Sequence, residues 1–435
     1  MNSEQKRVAV TTLGCKTNQF ESAAMIESLE QSGFAVVPFE EPAEFYVINT
    51  CTVTARTDAE SRKLVRRAKR RNPAARIIVT GCYAQVAPEQ LSAMAEVELV
   101  IGNEEKRRLP ELLTAAGTPQ RVLVSDIGGL SETAGLQLSS FSEHTRAFLQ
   151  IQNGCDSFCS YCIVPYARGR SRSVAAEEVL DGVARLAAEG FREIVLTGIH
   201  LGCYGRDLSP PNSLLRLLQK IEKQRAVERL RLGSLEPQDI TPELLDFIAA
   251  SGLIAPHLHL PLQSGSDAVL SRMNRRYGGS GFRDLCLRAV ARVPDLCLGF
   301  DVIAGFPGET VADFSATVQL IEDLPVAYLH VFPFSSRPGT AAAAMPGHLQ
   351  SSVVTARAEQ LRNLGERKKL QYQSRFAGRT LEALVLQRSG DRLWHGLTPN
   401  YLSVCFESDE DLGNRIVPVR VTWVRNGAIM AELLQ

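Results

Sequence analysis

The 435-residue chain lacks long apolar runs and has no surplus of either charge. It contains no run of about 18 apolar residues, the length that crosses a bilayer, so we expect no membrane span. Its polar N-terminus, Met1–Arg7, has no apolar signal-peptide core. We therefore expect a cytoplasmic protein, in which clustered cysteines indicate metal ligands and not disulfides. Basic and acidic residues number 48 each, so net charge indicates no class of partner, although it does not exclude a local basic surface.

Length and composition are those of a globular protein with several domains. A hydrophobic content of 45% and a charged content of 22% are ordinary. The length predicts roughly two to four domains. A Gly/Ser/Thr-rich stretch without periodicity, residues 126–145, predicts a linker between the first and second of them.

Three cysteines lie close together at the spacing CxxxCxxC. They follow the apolar run Phe148–Ile151 and are Cys155, Cys159 and Cys162, here called the loop cysteines. Three thiolates are one fewer than a closed iron–sulfur or zinc site uses. A [4Fe–4S] cluster on this loop would therefore keep one iron open for a substrate or cofactor. A zinc site or three scattered thiols are the alternatives, but no cysteine or histidine follows at zinc-finger spacing.

Three further cysteines each follow an apolar run in residues 1–125. Helical patterns separate the runs, which predicts a parallel α/β sheet. Ligands of such sheets lie beyond the carboxyl ends of the strands. We therefore expect a second three-thiolate site, although three separate buried cysteines remain the alternative. The strand-end cysteines, as we name them, are Cys15, Cys51 and Cys82.

Residues 146–370 predict an open, partial barrel. Six strand-like runs alternate with helical patterns, too few for a closed barrel of eight units. Several strand ends carry polar or glycine-rich tails that predict a small-molecule pocket. Three residues in these tails are candidate contacts of a cofactor, namely Gln263, Ser264 and Glu309. Turn formation and helix capping explain the same residues equally well.

Residues 371–435 predict a small antiparallel β-barrel, because short alternating runs are separated by turn residues. Two basic helices precede it in the chain, Arg56–Arg76 and Arg357–Arg379. A solvated helix face and an RNA-contacting face are both compatible with the first of them.

These motifs together resemble a known family. The loop cysteines, with Tyr161 before the last one, resemble the radical S-adenosylmethionine (SAM) superfamily. The strand-end cysteines narrow the resemblance to the methylthiotransferases. The segments Gly14–Gln19, Asn49–Thr54 and Leu196–Gly202 are similar to the branch that modifies threonylcarbamoyladenosine in tRNA, in which valine is more common at the position of Thr17.

The resemblance implies an architecture, cofactors and a reaction. The architecture is a flavodoxin-like parallel sheet domain, a partial (β/α)6 radical SAM barrel and a C-terminal TRAM barrel that binds RNA. The cofactors are two [4Fe–4S] clusters and SAM, with the loop cysteines holding the cluster that generates the radical. The strand-end cysteines hold the cluster that presents sulfur.

The implied product carries a methylthio group on C2 of N6-threonylcarbamoyladenosine at position 37 of tRNA. An external electron donor and a sulfur source are implied as partners. Three alternatives remain: isopentenyladenosine in tRNA as the substrate, an aspartate of a ribosomal protein as the substrate, or a non-catalytic iron–sulfur protein that binds RNA.

Overall fold

The computed structural model describes residues 5–115, 121–130, 145–425 and 428–434. The chain forms two compact units. One contains the described residues of Met1–Ser142 together with Gln150–Glu178 and Ser335–Ala343, and the other contains those of Glu143–Leu149, Val179–Phe334 and Ala344–Gln435. The loop cysteines thus share a unit with the strand-end cysteines. Most of the predicted linker lies outside the described residues; near its start, Ile127–Gly129 forms a short 3-10 turn.

The first unit is built on a six-stranded parallel sheet with the strand order β2-β1-β3-β4-β5-β6. This is the flavodoxin-like order, as predicted. The strands are β1 (Arg7–Thr12), β2 (Ala35–Val36), β3 (Phe45–Thr50), β4 (Arg76–Gly81), β5 (Leu99–Ile101) and β6 (Val122–Leu123). The helices are α1 (Lys16–Gln31), α2 (Ala55–Arg71), α3 (Cys82–Val86), α4 (Pro88–Ser92) and α5 (Leu109–Thr114).

Alternate side chains of the central strands pack into two separate apolar clusters. Tyr46 and Ile48 of β3 pack with Val65 of α2. Phe45 and Val47 of the same strand belong to the cluster on the opposite face, which includes α1 and α5. All six residues of β3 are buried, which explains its continuous apolar run. Helices therefore cover both faces, and the strand ends are left as the place for a ligand.

Two short strands and one helix complete the first unit around the loop cysteines. Strands β8 (Gln152–Asn153) and β9 (Arg172–Ser173) pair antiparallel, and α6 (Val164–Arg168) lies between them in the chain. The loop is therefore closed at its base by a β-ladder.

The second unit contains the six predicted barrel strands in two three-stranded sheets, ordered β11-β10-β7 and β12-β13-β14. A parallel bridge from Leu230 to Ile254 lies between the first sheet and the chain entering the second. The partial barrel was predicted correctly. Its strands are β7 (Arg146–Gln150), β10 (Glu193–Thr197), β11 (Arg229–Leu232), β12 (His257–Gln263), β13 (Cys297–Ala304) and β14 (Tyr328–Pro333). Its helices are α7 (Ala176–Ala188), α8 (Leu214–Gln224), α9 (Pro242–Ala250), α10 (Asp267–Arg272), α11 (Gly279–Arg292), α12 (Val311–Asp323) and α13 (Ser351–Ser374).

The C-terminal strands form a closed barrel with the order β15-β16-β17-β19-β18. The expectation of a wholly antiparallel barrel is wrong at one pair, because β17 and β19 are parallel. A closed ring with an odd number of strands cannot alternate direction at every step, so one parallel pair is unavoidable. The strands are β15 (Thr380–Ser389), β16 (Leu393–Leu397), β17 (Ser403–Glu407), β18 (Ile416–Arg425) and β19 (Ala428–Leu433). In the described part of the chain, no helix is long and apolar enough to cross a membrane.

Candidate iron–sulfur sites

The sheet register brings the strand-end cysteines to one edge. Thr50 of β3 pairs with Gly81 of β4, so Cys51 and Cys82 follow neighbouring strands at the same level. The backbone N–H of Leu13 donates to the carbonyl of Asn49 at 2.9 Å, which aligns the Cys15 turn with the end of β3. Strands β1 and β3 are where the strand order reverses, the position at which this fold binds its ligands.

The turn before Cys15 needs glycine. Gly14 has a φ of +109°, and a Cβ there would lie 2.7 Å from the Cβ of Cys51 and 2.9 Å from its Sγ. The turn therefore packs directly against the next cysteine.

The strand-end thiols also affect one another's pKa values. Burial above all, together with the negative charge of the neighbouring Cys82 and Cys15, raises the pKa of the Cys51 thiol to about 12. Burial likewise raises the pKa of Cys82. Cys15 is exposed, whereas the other two thiols are buried. An all-sulfur donor set with one open side fits an iron–sulfur cluster that has an accessible iron.

The loop cysteines lie on a compact turn with accessible thiols. The N–H of Cys162 donates to the carbonyl of Cys159 at 2.9 Å, and the N–H of Cys155 donates to the carbonyl of Gly169 at 3.1 Å. The N–H of Ser157 donates to the Sγ of Cys155 at 3.4 Å, a contact that favours the thiolate. All three cysteines are partly exposed. These features also fit a cluster with an open iron.

The segment Ser335–Ala343 contacts both cysteine sites. Arg337 donates to the Oγ1 of Thr52, next to Cys51, at 2.6 Å and pairs with Asp58 at 2.5 Å. The N–H of Ala342 donates to the carbonyl of Ser160 at 2.7 Å, inside the loop-cysteine turn. Sequence reasoning missed this connection, because nothing in a local pattern reveals a contact across about 280 residues of chain.

Two of the candidate cofactor residues form the turn after β12. Gln263 has a φ of +62° at a register shift in that strand and is buried. Ser264 is also buried, and its hydroxyl lies 3.2 Å from the Oγ1 of Thr317 and accepts from the N–H of Ser266 at 3.2 Å. These contacts are those of a turn and a helix start.

Glu309, the third candidate, is bonded within its own loop. The N–H of Gly305 donates to both carboxylate oxygens, at 3.3 and 3.2 Å, and Arg357 pairs with the same carboxylate. Burial raises the pKa of Glu309, and Arg357 opposes that shift. The side chain holds the glycine turn after β13 in place, which orients the backbone of that turn.

The remaining cysteines and histidines have structural surroundings. Cys286 and Cys297 are buried in the core. His200 pairs with Asp239 at 2.7 Å, near Cys203. Sequence reasoning did not connect His259 on β12 with Asp301 on β13 and His330 on β14, although both histidines pair with that aspartate. The sequence pattern could have shown that these three residues share one face of the sheet, since each alternates along its strand with the apolar side chains that face the helices.

Helix α2 carries the basic surface that the sequence predicted. It begins at Ala55, capped by Thr54, and ends at Arg71. Four of its cations form salt bridges at least 3.2 Å long, Lys63 with Glu60, Arg66 with Glu96, and both Arg67 and Arg71 with Glu40. Exposed pairs of this kind contribute little, so much of the positive charge remains available to a polyanion.

Comparison with known proteins agrees with this architecture. Residues 7–102 match the model described as uncharacterized protein family UPF0004, and residues 149–321 match the radical SAM superfamily. The radical SAM methyltransferase TsrM from Kitasatospora setae has a similar fold, with a TM-score of 0.57 and 17% identity over 78% of this chain and 77% of TsrM. The fold and the loop cysteines thus define a radical SAM enzyme.

Curated relatives specify the family. The threonylcarbamoyladenosine tRNA methylthiotransferases MtaB of Aquifex aeolicus and Bacillus subtilis are each 38% identical, over 94% and 95% of this chain and 99% and 93% of their own lengths. The tRNA-2-methylthio-N(6)-dimethylallyladenosine synthase of Pelotomaculum thermopropionicum is 33% identical over 97% of this chain and 96% of its own length. The chain belongs to the threonylcarbamoyladenosine tRNA methylthiotransferases. Its cofactors are two [4Fe–4S] clusters and SAM.

Proposed function

We propose that the protein adds a methylthio group to C2 of N6-threonylcarbamoyladenosine at position 37 of tRNA in the cytoplasm. The observation that carries this proposal is the pairing of two three-cysteine sites in one compact unit. Full-length similarity to enzymes named for this substrate supports it. The relative named for dimethylallyladenosine has lower identity, which favours the threonylcarbamoyl branch.

The reaction requires chemistry that side chains alone do not supply. The C2–H bond of adenine is too strong and too weakly acidic for a base or a simple nucleophile. A [4Fe–4S] cluster with an open iron, when bound, supplies the electron that turns SAM into a hydrogen-abstracting reagent. The loop cysteines would hold that cluster, and the strand-end cysteines would hold the one that presents sulfur.

The chain positions the cofactor through strand-end turns. Gln263, Ser264 and Glu309 are proposed to shape the SAM site. Ser264 and Glu309 are engaged in bonds within their turns, so their contribution is to hold backbone groups in place for the ligand. Gln263, at the end of β12, is the side chain among them proposed to contact SAM directly.

Binding of tRNA is proposed to use two surfaces. Helix α2 exposes arginines in the unit that carries both cysteine sites. The C-terminal barrel supplies the second surface, in line with its TRAM-like strand arrangement. An external reductant and a sulfur donor complete the reaction.

Mass analysis of tRNA nucleosides from cells with and without this protein tests the substrate. We expect 2-methylthio-N6-threonylcarbamoyladenosine to disappear when the gene is deleted, with unmodified N6-threonylcarbamoyladenosine accumulating in its place. The methylthio derivative of isopentenyladenosine serves as the control and should be unchanged. Loss of that derivative alone would reassign the substrate to the sister branch.

A further inference from the structure

Three buried charged residues form a cluster beside the strand-end cysteines. Arg168, Lys106 and Glu21 are each at most 3% exposed. Arg168 lies 2.5 Å from one carboxylate oxygen of Glu21 and 3.1 Å from the other. Lys106 donates to Glu21 at 2.5 Å. Two cations therefore share one carboxylate in the interior of the unit.

Amide side chains hold the guanidinium in one orientation. The Nη2 of Arg168 donates to the Oδ1 of Asn18 at 2.5 Å, and its Nη1 donates to Asn153 at 3.2 Å. Asn18 lies in the first turn of α1, which begins directly after Cys15. Asn153 lies two residues before Cys155. Arg168 is thus fixed between the starts of the two cysteine sites.

The charges of this cluster do not balance internally. Buried charges are costly unless they are paired, and here one positive charge is left over after Glu21 is counted. Burial raises the pKa of Glu21, but Arg168 and Lys106 outweigh it and hold the pKa at about 2, so the carboxylate is ionised. Burial also lowers the pKa of Lys106, and Glu21 opposes that shift.

As ligands of a cluster, the strand-end cysteines would be thiolates and would supply the missing negative charge. Burial opposes the charged form of Arg168, yet the thiolates of Cys82 and Cys15, with the carboxylate of Glu21, hold its pKa well above the ordinary value. Three thiolates around an iron–sulfur core leave a net negative charge, and nearby charge is one determinant of a cluster's reduction potential.

We propose that Arg168 is a positioning residue for the cluster on the strand-end cysteines, and that its buried guanidinium provides the positive charge that offsets their thiolates. This inference rests on the proposed function, because it requires a cluster at that site. Arg168 follows the loop cysteines in the chain, but its proposed electrostatic role is at the site of the strand-end cysteines.

The test isolates one cluster in the full-length chain. Replacing the loop cysteines by alanine leaves the strand-end cysteines as the remaining proposed cluster ligands. After anaerobic reconstitution, this parent protein is assayed for iron, for its reduction potential by electron paramagnetic resonance, and for the rate at which a chelator removes iron. A parent without iron contradicts the proposed cluster itself, whereas the variants below test the role of Arg168.

Three charge variants make opposite predictions. R168M removes one positive charge and should shift the reduction potential to a more negative value, because reduction adds negative charge. It should also speed the loss of iron by about tenfold or more, as for other outer-shell changes at metal sites. E21Q removes a negative charge and should shift the potential to a more positive value. The double variant E21Q/R168M restores the net charge and should return the potential toward that of the parent.

R231M is a matched control, because Arg231 is equally buried and pairs with Glu193 in the other compact unit. It should leave the potential and the iron-loss rate unchanged. An unchanged potential in R168M, or shifts of the same sign in both single variants, would overturn the proposal. If R168M fails to fold, R168K and E21Q still test the proposal. R168K keeps the positive charge and should have the reduction potential of the parent. E21Q should have a more positive reduction potential than the parent.

Discussion

A buried carboxylate on β10 gives a prediction whose magnitude follows from the structure. The Glu193 side chain has no exposed surface, and Arg231 donates to its two oxygens at 2.8 and 3.1 Å. Arg229 and Arg146, on the adjacent strands, lie at 3.3 and 3.4 Å. Burial raises the pKa of Glu193, but these arginines, Arg231 above all, hold it at about 2, against an ordinary value of 4.5.

The difference between these two pKa values corresponds to about 3 kcal/mol of folding free energy. Because the folded-state pKa is the lower one, this contribution is present above pH 4.5 and is lost as the pH falls from there toward 2. About 2 kcal/mol should be lost by about pH 3. The arginines also donate to the carbonyls of Leu397 and Pro399, so the C-terminal barrel should report the change.

E193Q removes the titrating group. We expect it to cost about 3–5 kcal/mol at neutral pH, because it leaves buried cations without their carboxylate. It should also remove the acid-dependent loss that the wild type shows as the pH falls below 4.5. Urea unfolding of the cluster-free protein, followed by the fluorescence of Trp394 and Trp423 in the C-terminal barrel, measures both quantities.

E228Q is the matched control, because the pair of Glu228 with Arg192 is about half exposed. It should change stability by less than about 1 kcal/mol. Parallel acid-induced losses of stability in wild type and E193Q would refute the reasoning.

Three further predictions concern the sites. Alanine at all three strand-end cysteines should reduce the iron content from about eight to about four per chain. It should abolish methylthio transfer, while SAM cleavage to 5′-deoxyadenosine persists. Loss of SAM cleavage with the loop cluster intact would contradict the proposed roles of the two clusters. G14A should reproduce the iron deficit, because its Cβ would lie 2.7 Å from that of Cys51; G281A, where an added Cβ meets nothing within 4 Å, is the control. Charge reversal of Arg66 and Arg70 should weaken tRNA binding, measured by fluorescence anisotropy, and reduce the salt dependence of that binding. The control R216E on α8 should do neither. If R216E weakens binding as much as the reversal of Arg66 and Arg70, the RNA surface lies elsewhere.

Local patterns predicted the elements of the fold well. The apolar runs that end at Cys51 and Cys82 could be predicted as strands because buried parallel strands are continuously apolar. Their proximity followed from a general property of parallel sheets. The one incorrect strand direction, in the C-terminal barrel, could not be read locally, because pairing depends on closure of the whole ring.

The contacts that connect the two cysteine sites could not be predicted in this way. Arg168 sits in a short helix with no sequence signal of burial, and its partner Glu21 is 147 residues away. The same holds for Arg337, which reaches back to Asp58. Charged residues are normally exposed, so buried ion pairs between distant segments become apparent only in three dimensions.

The most direct test of the central claim is a defined reaction on tRNA. The anaerobically reconstituted protein is incubated with SAM, a reductant, a sulfide source and tRNA that contains N6-threonylcarbamoyladenosine, and the nucleosides are analysed by mass spectrometry. The account predicts a methylthio group on that nucleoside, and none on the same tRNA lacking the threonylcarbamoyl group. Product on isopentenyladenosine tRNA or on a ribosomal protein, with none on this substrate, would contradict it.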